Sequence, residues 1–187
     1  MGPVRATESE LGVLLAGARD GSAAAFERIY EELAAPIASY LRWNGVVDVD
    51  GLTNEVMANV HRGLPRFKGD WMAFRSWVFT IAHHRLIDDR RAARRRPVVV
   101  EDVAEGHASV QDAEEDALAA LGAERVTALL AALSVDQREV LLLRVVADLP
   151  IEDAAEALGK TIGAVKSLQH RALATLRRQL AVEEVEP

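Results

Sequence analysis

The sequence predicts an all-α protein: two small helical domains joined by an acidic flexible linker, with a helix-turn-helix at the C-terminal end. Three observations predict this fold class. Apolar residues recur at helical spacing through most of the 187 residues, and no segment alternates as a strand would. Residues 98–120 are acidic and lack that periodicity, as expected of a linker. Beyond them, a turn containing Gly159 separates a short helix from a longer one that carries bases and no acid.

The first 97 residues contain five predicted helices. They are expected over residues 10–18, 22–33, 36–44, 48–64 and 71–96. Ser22 is the predicted N-cap of the second helix, and Pro36 is placed in the first turn of the third, where its missing N–H leaves no helical bond unmade. Residues 65–70 are predicted to be a loop. Pro97 ends the last helix, because proline disfavours helix at the residue before it.

The C-terminal part is predicted to hold four more helices. Helix resumes near Ala117 and runs to Leu133, and residues 134–137 form a capping-box pattern ahead of an apolar run. Pro150 opens a short helix that closes at Gly159. Thr161 is then the predicted N-cap of the last helix. The inward face of that helix is expected to comprise Ile162, Val165, Leu168, Ala172, Leu173, Leu176 and Leu180.

Charge is segregated along the chain, although the formal net charge is −7. Residues 85–96 hold six arginines, and residues 160–178 hold five bases with no acid, whereas residues 98–124 hold eight acids and no base. Because polyanion binding depends on local rather than total charge, the two cationic blocks predict contact with nucleic acid. The predicted divisions are a first domain at 1–97, a linker at 98–120, a second domain at 121–182 and an acidic tail at 183–187.

Composition argues against several other classes of protein. The chain has no cysteine, which removes disulfides and thiolate metal sites, and its five histidines are not spaced as metal ligands. It contains no Gly-rich phosphate loop and no nucleophile elbow. No apolar run approaches the ~20 residues that span a bilayer. We therefore expect a cytoplasmic protein that is not an enzyme, needs no metal or cofactor and does not insert into membranes.

Residues 71–96 combine aromatic side chains with arginines. Such a pattern suits single-stranded nucleic acid, because bases stack on rings while arginines contact phosphates. The alternative is that Phe74, Trp77 and Phe79 lie in the core, as aromatic residues at helical spacing more often do, and that the arginines form a solvated helix end. The residues expected to be exposed are Phe67 and Lys68 in the preceding loop and Trp71 where the helix begins.

Three segments carry recognisable motifs. Residues 48–62 include Leu52 and Glu55 at the spacing of an Asp-Leu-Val-Gln-Glu pattern. Residues 74–91 begin Phe-Arg-Ser-Trp-Val-Phe-Thr-Ile-Ala-His-His-Arg-Leu-Ile-Asp, close to Phe-Arg-x-Trp-Leu-x-x-Ile-Ala-Arg-Asn-x-x-Ile-Asp. Residues 163–172 are close to Gly-Thr-Val-Lys-Ser-Arg-Leu-His-Arg-Ala, with Leu-Gln in place of Arg-Leu. In this order and with a linker between the last two, the motifs resemble those of extracytoplasmic-function (ECF) RNA polymerase sigma factors, over roughly residues 20–97 and 120–180.

The resemblance implies a promoter-specificity subunit and assigns residues to three surfaces. Core RNA polymerase, through its β′ coiled coil, would be contacted by Leu52 and Glu55. The −10 promoter element would be read and unpaired by Phe67, Lys68, Trp71, Arg75, His84, Arg85 and Arg91. The −35 element would be bound by Thr161, Lys166, Ser167, His170 and Arg171. Implied partners are therefore core polymerase (β′ coiled coil and β flap), duplex and single-stranded promoter DNA, and an anti-sigma factor.

Two other functions fit the helical pattern. One is a freestanding helix-turn-helix regulator that binds duplex DNA as a dimer without polymerase, which would leave a palindromic footprint. The other is a pure interaction module, in which the basic blocks serve only protein contacts. In that case charge reversal at Arg171 would leave promoter binding intact.

Overall fold

The computed structural model describes residues 7–95, 122 and 125–183, and every regular element in that part of the chain is a helix. This confirms the predicted all-α class. The helices are α1 (Glu8–Arg19), α2 (Ala23–Trp43), α3 (Val49–Gly63), a 3₁₀ turn (Leu64–Arg66), α4 (Trp71–Arg95), α5 (residues 125–131), α6 (Val135–Val145), α7 (Ile151–Ala157) and α8 (Ile162–Glu183). The predicted linker at 98–120 and tail residues 184–187 lie outside the described residues.

The helix ends follow local sequence chemistry. Thr7 and Ser134 each form a capping box, in which the N-cap hydroxyl accepts from a backbone N–H and a side chain three residues later accepts from the N-cap N–H. Ser22 and Asp48 cap α2 and α3 with their side-chain oxygens. The predicted caps at Ser22 and Ser134 are therefore confirmed.

Helix α2 differs from the prediction at Pro36. Two helices were expected, with Pro36 in the first turn of the second, but α2 runs unbroken from Ala23 to Trp43 with the proline inside it. An interior proline costs about 3 kcal/mol because it removes one helical bond and crowds the preceding turn. The fully buried side chains on the inward stripe of α2 offset this cost, at about 1.5–3 kcal/mol each. They are Ile29, Leu33, Ile37, Tyr40 and Leu41.

The N-terminal half has an aromatic core. Phe74, Phe79 and Tyr40 are fully buried, and the rings of Tyr40 and Phe79 meet edge to face with centroids 5.9 Å apart. Helix α4 contributes the two phenylalanines and packs against α1, α2 and α3. This packing fixes which faces of α4 remain available.

The C-terminal half is a three-helix unit of α6, α7 and α8. Its buried side chains include Val140, Leu143, Leu149, Val165 and Ala172, all fully buried. The predicted inward face of α8 is correct at Val165, Leu168 and Ala172. It is wrong at Ile162 and Leu180, which are 42% and 39% exposed because they lie at or beyond the ends of the contact with α6 and α7.

The two halves touch through α4. Helix α4 packs against α7, and hydrogen bonds join it to the two residues that follow α6. Helices α4 and α7, which a long acidic segment separates in sequence, thus lie side by side in the structure.

Candidate nucleic-acid interface

Helices α7 and α8 form the predicted helix-turn-helix. The turn at residues 158–161 places Gly159 at φ +60°, in the left-handed region that glycine adopts without steric cost, and the Lys160 N–H donates to the Ala155 carbonyl at 2.9 Å. The Thr161 hydroxyl accepts from the Ala164 N–H at 3.2 Å and so caps α8 as predicted. Lys160 Nζ also lies 3.2 Å from Asp136 Oδ1, which ties the turn to α6.

One face of α8 carries polar and basic side chains into solvent. Lys166, Ser167, His170 and Arg171 are all exposed, whereas Val165, Leu168 and Ala172 on the opposite face are buried. The Arg171 Nε–H donates to the Ser167 carbonyl at 3.3 Å, one turn earlier. The structure therefore brings together on one surface four of the five residues predicted to bind duplex DNA, with the fifth, Thr161, exposed at the start of the helix.

The loop before α4 differs from the prediction. Trp71 was expected to be exposed, but it is only 5% exposed, with its ring centroid 5.6 Å from that of Phe74. Phe67 is half-buried and stacks on Trp77 at 5.2 Å. The loop is short and tethered, so its rings fold back onto α4 and bury apolar area. Lys68 alone of the three predicted loop residues is exposed.

Arg75 and Arg85, predicted to contact DNA, are held by protein groups. The Arg75 Nε–H donates to the Ala147 carbonyl at 2.5 Å, and a second guanidinium N–H points to the Val146 carbonyl at 3.4 Å. Arg85 donates to Asn59 Oδ1 on α3 at 3.3 Å. Both side chains are half-buried as a result.

His84 and Arg91 are exposed, farther along α4. Arg91 lies 3.8 Å from Asp88 in a solvated pair one turn apart, which has little energetic weight. It follows Trp71 by 20 residues, or about 30 Å of helix at 1.5 Å per residue. The residues predicted to read the −10 element thus form a line along α4 and its preceding loop rather than one cluster.

A buried polar pair that joins α2 to α4 was missed by sequence reasoning. The Tyr40 hydroxyl and His83 Nδ1 lie 3.0 Å apart in the N-terminal core. Burial raises the pKa of Tyr40, so the phenol keeps its proton. Burial, reinforced by the neighbouring His84 ring and by Arg90, lowers the pKa of His83 to about 4, so this histidine is neutral at pH 7. No sequence signal separated His83 from the adjacent exposed His84.

One interpretation of the sequence placed Arg90 in a solvated basic helix end, but the structure places it elsewhere. It forms an ion pair with Glu139 of α6, whose side chain is only 5% exposed. A second guanidinium nitrogen donates to the Asn44 carbonyl at 3.2 Å and to Asn44 Oδ1 at 3.1 Å. Glu139 and Arg90 are 49 residues apart in sequence, so no local pattern could have paired them.

The predicted polymerase-contacting residues lie on α3. Glu55 is exposed and Leu52 is half-buried. The Tyr30 hydroxyl donates to Asn54 Oδ1 at 2.9 Å, which links α2 to α3 beside a shallow groove of about 350 Å³. This hydrogen bond and the packing of α2 on α3 join the two helices.

The described residues offer neither a metal site nor a membrane span. Across residues 7–95 and 125–183, no three histidine or acidic side chains are placed to hold a metal ion. None of the helices in the same ranges combines the length and apolar character needed to cross a bilayer.

The chain matches two protein families along its length. Sigma-70 region 2 matches residues 28–96, and Sigma-70, region 4 matches residues 123–176. The first match covers most of α2 and all of α3 and α4, and the second covers the helix-turn-helix. The region 2 match lies before the predicted linker, and the region 4 match lies after it.

Two proteins of similar sequence are ECF RNA polymerase sigma factors. The ECF RNA polymerase sigma factor ShbA of Streptomyces griseus is 40% identical over 133 residues, which cover 69% of this chain and 70% of ShbA. The ECF RNA polymerase sigma factor SigD of Mycobacterium tuberculosis is 33% identical over 177 residues, which cover 91% of this chain and 84% of SigD.

Two solved structures resemble this fold. CnrH, solved in complex with the cytosolic domain of CnrY, aligns with a TM-score of 0.64 and 25% identity over 91% of this chain and 96% of CnrH. The sigma factor RpoE from Bartonella quintana, solved with the anti-sigma factor NepR, aligns with a TM-score of 0.63 and 20% identity over 87% of this chain and 98% of RpoE. These two likenesses show the fold. The two family matches and the sequence relatives, together with the helix-turn-helix and the basic face of α8, lead to one conclusion: the chain belongs to the ECF RNA polymerase sigma factors, and it directs promoter-specific initiation of transcription.

Proposed function

We propose that the two helical halves divide promoter recognition between them, with the first domain at 1–97 acting on the −10 element and the second at 121–182 on the −35 element. The observation that carries this division is the exposed face of α8. It presents Lys166, His170 and Arg171 with no acid among the described residues of that helix before Glu183. A recognition helix with such a face enters the major groove of DNA. There its basic side chains contact phosphates and the edges of the nucleobases.

The first domain captures the −10 strand. Unpairing a base costs a few kcal/mol, and this cost acts as a filter for sequences whose flipped base is held by the protein. Lys68, His84 and Arg91 are the exposed predicted contacts and are available to phosphate or base. Trp71 acts indirectly in this scheme: it packs on Phe74, which in turn contacts the mutually stacked rings of Phe67 and Trp77.

Core polymerase binds the exposed part of α3, with Glu55 and Leu52 contacting the β′ coiled coil, and the second domain lies near the β flap. These contacts are supported by the motif at residues 48–62 and by the exposure of Glu55. The protein catalyses no reaction itself and acts in the cytoplasm, where polymerase is found. The acidic segment at 98–120 connects the two domains in sequence.

An anti-sigma factor is a further proposed partner. CnrH and RpoE were solved with the cytosolic domain of CnrY and with the anti-sigma factor NepR, respectively. The likeness in fold supports a protein inhibitor for this chain as well. A pull-down with the full chain from its host tests this partner. The captured proteins are identified and assayed for inhibition of the transcription that this protein directs.

Run-off transcription tests the proposed function. Core polymerase plus this protein should yield promoter-specific transcripts from host genomic fragments, and neither component alone should do so. Arg171→Ala should then weaken binding to the −35 duplex by roughly tenfold, whereas Arg177→Ala, which removes the same charge about 9 Å farther along α8, should have a smaller effect. Equal losses in both variants would show a general charge effect and contradict the assignment of Arg171 to the −35 contact.

A palindromic footprint from protein alone, with no association with polymerase, would instead favour a freestanding regulator.

Permanganate reactivity of the promoter DNA provides a second readout, because it reports strand opening. Trp71→Ala should spare duplex binding and slow strand opening, because the buried ring supports the loop. Unchanged opening in this variant would overturn the role given to the loop.

A further inference from the structure

The C-terminal end of α3 and the loop after it form a further cationic segment. Residues 56–69 hold Arg62, Arg66 and Lys68 and no acid. All three side chains are exposed in the structure. Helix α4, which packs against α3, places Arg85 beside this segment. Because polyanion binding depends on local charge, this surface suits an anion although the chain as a whole is acidic.

Asn59 holds two of these arginines together. Its side-chain oxygen accepts a hydrogen bond from Arg62 Nη2 at 2.6 Å and another from Arg85 Nη2 at 3.3 Å. Its side-chain nitrogen donates to the Glu55 carbonyl one turn earlier, at 2.7 Å. A guanidinium only donates and a carbonyl only accepts, so a single orientation of the amide satisfies all of these partners. The amide is therefore fixed with its oxygen towards both guanidiniums.

The two arginines share an amide rather than a carboxylate. In the part of the chain that the structure describes, neither Arg62 nor Arg85 forms an ion pair with an acid. Arg90, farther along α4, is by contrast paired with Glu139. Guanidiniums side by side repel each other, and the neutral amide of Asn59 does not cancel their charge. The pair therefore favours an anion as its third partner.

A phosphate fits this arrangement. Its non-bridging oxygens can accept hydrogen bonds from both guanidiniums at once, because Asn59 takes up only one of the five N–H donors of each arginine. Arg62 is exposed and Arg85 is half-buried, so the pair is open to solvent on one side. An open site of this kind suits a phosphate that is part of a long strand, since the strand continues past it in both directions.

Two aromatic rings lie beside the arginine pair. Gly63 directly follows Arg62, and a Cβ added to this glycine would lie 2.7 Å from the ring of Trp77. Phe67 stacks on Trp77 with ring centroids 5.2 Å apart, and both rings are half-buried. Rings next to arginines suit single strands, because bases stack on the rings while guanidiniums hold the phosphates. The surroundings of the pair thus point to an unpaired DNA strand rather than to a free anion.

We propose that Arg62 and Arg85 bind one backbone phosphate of the opened promoter strand, and that Asn59 is the positioning residue that holds both guanidiniums towards it. The proposal rests on the assignment of the first domain to the −10 element made above. It adds α3 to the DNA surface through Arg62 and Asn59, neither of which was among the predicted contacts. Binding of a single phosphate should therefore depend on these three side chains jointly.

Methylphosphonate substitution tests the site, because it removes the charge of one phosphate at a time. Core polymerase bound to the full chain is titrated with a promoter fragment whose −10 strand is unpaired and carries the substitution at successive positions. Substitution at one position should weaken binding by roughly tenfold. Arg62→Ala and Arg85→Ala should each weaken binding to the unsubstituted DNA by a similar factor and should lose the sensitivity to that position.

Arg28→Ala is the matched control, because it removes an exposed guanidinium from α2. This variant should keep both the affinity and the sensitivity to the same phosphate. The proposal is overturned if the losses from Arg62→Ala and Arg85→Ala multiply with the loss from methylphosphonate at every position, or if Arg28→Ala behaves as they do.

Asn59→Asp separates a positioning role from a structural one. The carboxylate has nearly the same size as the amide and would pair with both guanidiniums, so the protein should remain stable in urea unfolding. It should nevertheless weaken DNA binding by roughly tenfold and abolish the sensitivity to the same phosphate, because the carboxylate takes the place of the phosphate as the partner of the arginines. A stable variant that keeps this sensitivity would overturn the role given to Asn59.

Run-off transcription by the unmodified protein keeps the two conclusions apart. Promoter-specific transcripts, together with DNA binding in which no single phosphate is coupled to Arg62 and Arg85, would overturn the phosphate site and leave the proposed function standing. A complete lack of transcripts from the unmodified protein would overturn the proposed function, and the phosphate site with it.

Discussion

Acidification should destabilise the N-terminal half through His83. This side chain is 7% exposed and faces Tyr40, with His84, Arg90 and Lys160 also near. Its pKa falls from an ordinary 6.5 to about 4, chiefly because burial disfavours the charged ring. The contribution of His83 to stability is therefore present above pH 6.5, and it is lost as the pH falls from there towards 4, because the unfolded chain takes up a proton that the folded chain excludes.

The magnitude follows from the same values. At 1.36 kcal/mol per pKa unit, the lowering corresponds to about 3 kcal/mol in all, of which roughly 2.5 kcal/mol should be lost between pH 7 and pH 4.5. Protonation of His83 would also remove the lone pair that the Tyr40 hydroxyl faces. Carboxylates titrate over the same range, so the comparison needs a variant that lacks only this histidine.

Urea unfolding followed by tryptophan fluorescence measures this effect. All three tryptophans, at positions 43, 71 and 77, lie in the N-terminal half, so fluorescence follows that half alone. His83→Gln should be less stable at pH 7 but should lose roughly 2.5 kcal/mol less than the unmodified chain on going to pH 4.5. His84→Gln is the matched control, because it removes the adjacent exposed ring. A His83 variant with the same pH dependence as the unmodified chain would refute the reasoning.

Other predictions concern packing, caps and DNA binding. Gly63→Ala would place a Cβ 2.7 Å from the Trp77 ring and should cost about 1–3 kcal/mol in urea unfolding, whereas Gly12→Ala meets no atom within 4 Å and should not destabilise. Ser134→Ala removes the capping box and should lower the free energy of unfolding, measured by circular dichroism, by about 1 kcal/mol. An unchanged free energy of unfolding would show that the box does not contribute to stability. Lys166→Ala should reduce the salt dependence of −35 duplex binding by about one phosphate contact, and an unchanged slope would place Lys166 off the phosphate backbone.

Much of the fold could be predicted from the sequence, because helix ends and helix faces are local properties. The capping box at Ser134 and the cap at Thr161 lie where side-chain oxygens occur next to apolar periodicity. The exposed face of α8 followed from helical spacing and from the absence of acids. The family also followed, because its motifs are short continuous segments.

Burial and pairing across the chain could not be predicted in this way. Pro36 predicted a helix break, and only the buried stripe that faces α3 and α4 shows why α2 continues. Trp71 follows a loop and was expected in solvent, but the rings of α4 provide an apolar surface that covers it. In both cases a local preference was outweighed by contacts with residues distant in sequence.

The sequence by itself determined that this protein is helical, where most of its helices begin and end, which of them carries a basic face and to which family it belongs. Only the tertiary structure decided that His83 is buried while His84 is exposed, and that Arg75 and Arg90 of α4 bind the second half of the chain. The physical reason is that helix formation and motif chemistry depend on neighbours within a few residues. The charge state of a histidine and the partner of an arginine depend on burial and on groups that folding brings from 43 to 72 residues away.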